Sequence, residues 1–193
     1  MFDKAEVLAV LRDQFWERGF AATSLDDLMK ATGLGKGSLY AAFGDKHQLF
    51  LAVLDHYIDW QLQGVRKALA EDRPAIERLR AFFRVGPLAG GRGCLLVKST
   101  TELAWEDPEV QERARRTYGA VEAALTEVVR EAIAEGDLAR ETDAGKLGRL
   151  LLAVNQGMEF LARTGLTAEE LEAMGQEASV RLLGEDKPRS RKR

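Results

Sequence analysis

Apolar residues recur at three- and four-residue spacing along nearly the whole chain, and no run of four or more residues alternates in the strand manner with β-branched enrichment. The pattern predicts an all-α protein. Val7, Leu8, Leu11 and Phe15 write a first helix, with Asp3 as its N-cap and Gly19 as a left-handed stop. Ser24 opens a short helix through Leu25 and Leu28 to Ala31. Thr32-Gly33-Leu34-Gly35 then turns the chain, and Lys36 to Phe43 holds about two helical turns before Gly44. Asp45 caps a longer helix to about residue 70, where Leu49, Phe50, Val53, Leu54, Tyr57, Ile58 and Val65 make a broad apolar face.

Prolines punctuate the second half. Pro74, Pro87 and Pro108 sit where helices begin or end, and the spacing between them predicts helices over 74–85, 93–105 and 108–135, the last stopped by Gly136. Thr142-Asp143 opens a further helix to about residue 163, and Thr167-Ala-Glu-Glu170 reads as a capping box for one ending near Leu183. These last two helices carry apolar stripes broader than one chain needs. Gly148, Ala153, Gly157, Ala168, Ala173, Gly175 and Ala178 allow close approach, as a four-helix bundle shared by two subunits requires.

Composition narrows the class. With 46% apolar and 31% charged residues over 193 positions, the chain is globular, one large domain or two small ones. A formal charge of −3 argues against indiscriminate coating of nucleic acid, which needs many lysines and arginines, yet leaves room for a specific binder with a few placed cations. Five cations between Lys187 and Arg193 make the last ten residues basic, a tail expected to be disordered. Cys94 is the single cysteine, and with His47 and His56 as the only histidines no metal site is expected. No uncharged stretch approaches the ~20 residues of a membrane span, and Asp3, Lys4 and Glu6 do not fit a secretory signal, so a cytoplasmic chain is expected. His56 and Cys94 are the only candidates for base and nucleophile, and nothing in the sequence brings them together. No enzymatic activity or cofactor is expected.

Residues 24 to 43 carry the chemistry. A short capped helix, a glycine turn and a second short helix form a helix-turn-helix layout. In such a unit the second helix enters a major groove about 12 Å wide, so its outer face must be small or polar while its inner face anchors to the other helices. Leu39 and Phe43 are the anchors, and Lys36, Gly37, Ser38, Ala41 and Ala42 form the facing side. Lys36 and Ser38 can donate to bases or phosphates, and the Tyr40 hydroxyl can reach a phosphate oxygen. Lys46 and His47, at the start of the next helix, join free N–H groups as a second phosphate site. Thr23 and Ser24 offer hydroxyls of the same kind.

The segment Gly19 to Phe50, with Tyr40, Phe43, Lys46 and Leu49 at fixed steps, resembles the DNA-binding domain of the tetracycline-repressor (TetR) family of bacterial regulators. The resemblance implies that Tyr40 and Lys46 touch the DNA backbone and that Lys36 to Ala41 lie in the groove. It also implies a homodimer on a palindromic double-stranded operator, and an all-helical second domain that binds a small inducer and dimerises. The domain division that follows is 1–46 for DNA binding, 47–183 for ligand binding and dimerisation, and 184–193 for the tail. One departure is Gly35, where many members have serine or threonine; glycine caps the helix acceptably.

The family implies an inducer cavity among the helices over 46–70, 74–85, 93–105 and 108–135. By periodicity its candidate lining is Tyr57, Trp60, Phe82, Phe83, Leu96, Trp105, Tyr118 and Phe160, with Glu102, Asn155 or Gln156 as polar anchors, and Cys94 and Lys98 are further candidate ligand-binding residues. The aromatic content suits an apolar or planar inducer. The segment from Arg92 through Cys94 to Glu102 resembles the sixth helix of a family subset in which some members sense electrophiles or oxidants through cysteine, so two readings of Cys94 stand side by side. A thiol at a helix N-terminus beside Arg92 is more reactive, and a cysteine is equally a small hydrophobe suited to a helix crossing. A third reading is a DNA-binding regulator with no small-molecule ligand.

Overall fold

A computed structural model describes residues 2–85 and 92–185. Nine α-helices run in chain order among them: α1 (Lys4–Arg18), α2 (Leu25–Thr32), α3 (Lys36–Phe43), α4 (Lys46–Leu69), α5 (Ala75–Val85), α6 (Leu95–Leu103), α7 (Pro108–Ala134), α8 (Ala144–Leu161) and α9 (Ala168–Leu183), with a 3-10 turn at Ala162–Thr164. No helix among these residues is long and apolar enough to cross a membrane. Pro87 and the cations from Lys187 to Arg193 lie outside the described residues.

Local chemistry sets most helix ends. The Asp3 carboxylate accepts the Ala5 N–H, Ser24 and Asp27 form a reciprocal capping box, and Thr167 and Glu170 form another. Asp45 accepts the Gln48 N–H and Asp143 the Lys146 N–H. The sixth helix is shorter than its pattern predicts. Gly93 takes φ 63° and Cys94 is the extended N-cap, so α6 starts at Leu95; its far end unwinds after Leu103 because Asp107 begins to cap α7. Gly19 is also a different stop from the one expected: at φ 88°, ψ 176° it is an extended, positive-φ residue rather than a left-handed helical one.

The chain divides into two compact units, Met1–Val65 with Arg92–Ala120, and Arg66–Gly91 with Val121–Arg193. In the first, α1 to α3 close over a core of Leu11, Phe15, Leu28, Leu39, Leu49 and Phe50, all essentially without solvent contact. The Phe15 and Phe50 rings meet edge to face at 5.1 Å, an arrangement that adds electrostatic attraction to burial. The turn between α2 and α3 needs Gly33, which sits in the left-handed region at φ 69°, ψ 9°.

In the second unit α5 packs on α9 and α9 on α8. Two glycines make close helix crossings possible. A Cβ at Gly148 would lie 2.5 Å from Thr126 Oγ1, and one at Gly175 would lie 3.0 Å from the Phe83 carbonyl oxygen. The buried Arg78 guanidinium donates to the Leu69 carbonyl at 2.7 Å and pairs with Glu131, which gives a charge in a dry place both a partner and a hydrogen bond. Leu150, Phe160, Leu161, Met174 and Val180 remain exposed on α8 and α9.

Candidate nucleic-acid interface

The outward face of α3 sets small side chains beside a lysine. Lys36, Gly37, Ser38 and Ala41 are exposed, Tyr40, Ala42 and Phe43 are half-buried, and Leu39 is buried as the anchor. A Cβ at Gly35 or Gly37 would meet no atom within 4 Å, so the helix backbone is open to whatever approaches. Gly35 caps α3 without a side-chain hydrogen bond, which leaves the first N–H groups of the helix available to an anion. The Lys36 ammonium lies 5.4 Å from the Tyr40 ring centroid and the Lys4 ammonium 5.6 Å from that of Phe43. These contacts hold cations beside the small-residue face.

Lys46 and His47 open α4, and both touch Phe20. The Lys46 ammonium stands 4.4 Å from the Phe20 centroid, and the His47 ring meets the same ring at right angles, 6.1 Å away. His47 is tied further inward: its Nε2 lies 2.6 Å from an Asp107 oxygen, and Nδ1 is 4.0 Å from Glu109. Burial alone would raise the Asp107 carboxyl, but hydrogen bonds from His47 and from the Val110 and Glu109 amides outweigh it and hold it below the usual carboxylate range. His47 therefore tethers the start of α4 to the cap of α7, with one ring nitrogen already used.

The two hydroxyls ahead of α2 are also engaged. Thr23 is fully buried, and its Oγ1 donates to the Gly19 carbonyl at 2.6 Å, so a DNA contact through that hydroxyl is not what this fold offers. Ser24 is exposed; its hydroxyl donates to Asp27 at 2.6 Å and accepts the Asp27 N–H. Hydrogen bonds from Ser24, together with Arg18 at 2.9 Å, pull the Asp27 carboxyl down to about 2.

Lys98 and Glu102, expected beside an inducer, bond to backbone groups of the first unit. They lie one turn apart on α6 and grip the end of α1. The Lys98 ammonium donates to the Trp16 and Glu17 carbonyls at 2.9 and 2.8 Å, and the Glu102 carboxylate accepts the Phe20 and Ala21 N–H groups at 3.1 and 2.8 Å. The two carbonyls are among those the C-terminal end of a helix leaves unpaired, and the two N–H groups belong to the loop that follows it. The Trp16 indole adds a third tie, donating to the Gly93 carbonyl at 3.0 Å. Nothing local in the sequence announces these bonds, which join residues some 80 positions apart.

Gly19 is fixed by the same grip. Its backbone occupies a region only glycine enters readily, and a Cβ there would lie 2.5 Å from Glu102 Oε2. We expect Gly19→Ala to lose about 2 kcal/mol in chemical denaturation, from backbone strain plus displacement of that carboxylate. An unchanged unfolding midpoint would show that the grip is loose.

The other candidate lining residues fall into both units. In the first, Tyr57 is buried and donates to Cys94 Sγ at 3.4 Å, with Gln61 Nε2 at 3.5 Å. Tyr118 is half-buried against the same core, in which Leu96 is fully buried. Trp60 is 57% exposed, and Trp105, in the turn after α6, is 99% exposed, so neither is enclosed. Trp105 left the expected helix because α6 ends early. Arg92 lies over Trp16 at 4.4 Å and pairs with Asp13, and Cys94 is buried as the extended N-cap of α6. In the second unit Phe82 and Phe83 are buried against each other, while Phe160 is 51% exposed. Asn155 Nδ2, Gln156 Oε1 and Glu159 Oε2 are buried there without a hydrogen-bond partner among the described residues. Sequence reading missed Glu159; a lone carboxylate on the apolar stripe of α8 was the available signal. Among the described residues no group of three potential ligands is placed to hold a metal ion.

An anchored short helix with a small, cation-flanked outer face, held after a glycine turn, defines a helix-turn-helix DNA-binding protein. Residues 7–53 match the model of bacterial regulatory proteins of the tetR family, and residues 75–177 match the tetracyclin repressor-like C-terminal domain. The chain belongs to the TetR family of transcriptional regulators. It is 29% identical over 179 residues to the HTH-type transcriptional repressor ComR of Escherichia coli K12, covering 89% of this chain and 84% of that one. Among solved structures it is similar to a cysteine-substituted form of the TetR family regulator CifR in complex with 26-bp double-strand operator DNA, at 31% identity and TM-score 0.83 over 93% of this chain and 96% of that one. A TetR regulator from Chloroflexus aurantiacus is similar at 29% identity and TM-score 0.81, over 91% of each chain. Members of this family are regulators rather than enzymes.

Proposed function

We propose that the protein is a repressor that binds a palindromic operator as a homodimer and is released by a small apolar or planar inducer. The observation that carries the reading is the open face of α3, where nothing packs over Gly35 or Gly37 and Lys36, Ser38 and Tyr40 stand around them. Residues 1–46 are the DNA-reading part, and 47–183 receive the inducer and dimerise. Tyr40 and Lys46 bind phosphate, while Lys36, Gly37, Ser38 and Ala41 read the groove. The repressor sense is supported by ComR, and the double-stranded partner by the CifR complex. The exposed apolar residues of α8 and α9, beside the small Ala153, Gly157, Ala173 and Ala178, support a subunit interface. Two recognition helices about 34–36 Å apart then reach successive major grooves on one face of the duplex. An inducer that prefers a form with another separation lowers operator affinity by the same factor that DNA lowers affinity for the inducer.

The test is binding to an operator selected from random duplex. Tyr40→Phe with Lys46→Ala is expected to weaken binding to every sequence about tenfold or more, whereas exchanging Lys36 or Ser38 shifts which sequence is preferred. Unchanged affinity in the double variant refutes the placement of the phosphate contacts. A thermal-shift screen in which one compound both stabilises the protein and releases the operator identifies the inducer class.

A further inference from the structure

The grip of α6 on the end of α1 leads to the phosphate-binding lysine in three steps. Glu102 accepts the N–H groups of Phe20 and Ala21, which fixes where the Phe20 backbone lies. The Phe20 ring then packs on Phe50 at 5.0 Å and stacks on Phe15 at 6.4 Å, and it also meets the Lys46 ammonium at 4.4 Å and the His47 ring at 6.1 Å. Lys98, one turn before Glu102, holds the two carbonyls immediately upstream of this loop. Donors and acceptors of α6 thus satisfy both sides of one chain reversal, and the aromatic residue at its centre supports a cation proposed to meet DNA.

We propose that Glu102 and Lys98 are positioning residues for operator binding, which set the direction of the Lys46 ammonium through the Phe20 ring. This rests on the operator reading above. Glu102 touches no DNA; its carboxylate does two things at once that a glutamine cannot. Each of its oxygens accepts one backbone N–H, whereas an amide keeps one acceptor and turns an N–H toward the other donor. Loss of one of these bonds loosens the backbone that carries Phe20, and a shift of the ring against Phe15 and Phe50 moves the face on which Lys46 rests. A lysine held over an aromatic face in one direction meets a phosphate with less ordering cost than one free to wander.

The experiment begins with wild-type protein and a random duplex library. If no sequence is selected, the operator reading falls and this inference with it. With an operator in hand, Glu102→Gln and Phe20→Leu are compared with wild type across a salt series, each with and without Lys46→Ala. Wild type with Lys46→Ala is expected to bind about tenfold more weakly and to show a salt slope shallower by about 2, roughly 0.9 for each phosphate whose counterion the dimer's two lysines displace. Glu102→Gln and Phe20→Leu are expected to reproduce both the loss and the shallower slope, and adding Lys46→Ala to either then changes affinity less than twofold. Wild-type affinity and slope in Glu102→Gln and Phe20→Leu overturn the proposal while leaving the operator reading intact. So does a loss of affinity at unchanged slope to which the Lys46→Ala effect adds in full, because that is the signature of a merely structural role. A Glu102→Gln protein without helical circular dichroism at room temperature overturns it too, since the carboxylate would then serve stability rather than direction.

Discussion

Gly37→Glu should fold at least as well as wild type and bind the operator more than a hundredfold more weakly. Position 37 lies in the first turn of α3, is exposed, and has no atom within 4 Å of where a Cβ would stand. Glycine in a helix costs about 0.5–1 kcal/mol relative to good helix formers, and a carboxylate in a first turn interacts favourably with the helix dipole, so both local terms favour the variant. In the proposed complex the same carboxylate points at acceptor-rich base edges between two rows of phosphates, and the proposed dimer brings two of them. Like-charge juxtaposition of this kind costs several kcal/mol, well above the local gain. Thermal unfolding and fluorescence anisotropy on a labelled operator separate the two effects. A variant that melts higher and still binds like wild type would remove α3 from the groove.

Glu159→Gln is expected to raise stability at pH 8 and to change little at pH 5. Glu159 is 5% exposed on α8, its Oε2 has no hydrogen-bond partner among the described residues, and burial pushes its carboxyl up to about 7 from the ordinary 4.5. An acid raised in this way stays protonated in the folded chain while the unfolded chain ionises. As pH rises from 4.5 toward 7 the folded state therefore binds more protons than the unfolded one, and stability falls; below 4.5 both are neutral and above about 7 both are ionised, so the loss is then complete. Over that window the loss amounts to about 3 kcal/mol. A glutamine has no charge to desolvate, so denaturation curves of the variant should flatten between pH 5 and 8. A wild-type protein already flat across that range would mean that the carboxylate finds a partner or solvent in solution.

The positions where the chain was read differently from its sequence share one property. For Thr23, His47, Lys98, Glu102 and Trp105 the sequence shows only what each side chain can do at its own place on a helix or turn. Thr23 and Ser24 look alike as hydroxyls before a helix, yet Thr23 is buried on the Gly19 carbonyl and Ser24 is an exposed cap. Lys98 and Glu102 look like polar anchors on α6, and they face the end of α1 instead. His47 meets a carboxylate 60 residues away. For His47, Lys98 and Glu102 the partner lies 60 to 82 positions away on or beside another helix, and the angle at which two helices cross leaves no trace in the spacing of either.

What lies within a few residues could be read directly. The helical period, the Asp3, Ser24 and Thr167 caps, the glycine turn and the small outer face of α3 are governed by bonds and sterics that span three or four positions, so the sequence determined them and the family resemblance with them. Only the tertiary structure decided which polar side chains remain free for a ligand. That choice depends on which backbone groups other helix ends leave unpaired nearby, and those groups become neighbours only once the helices have packed.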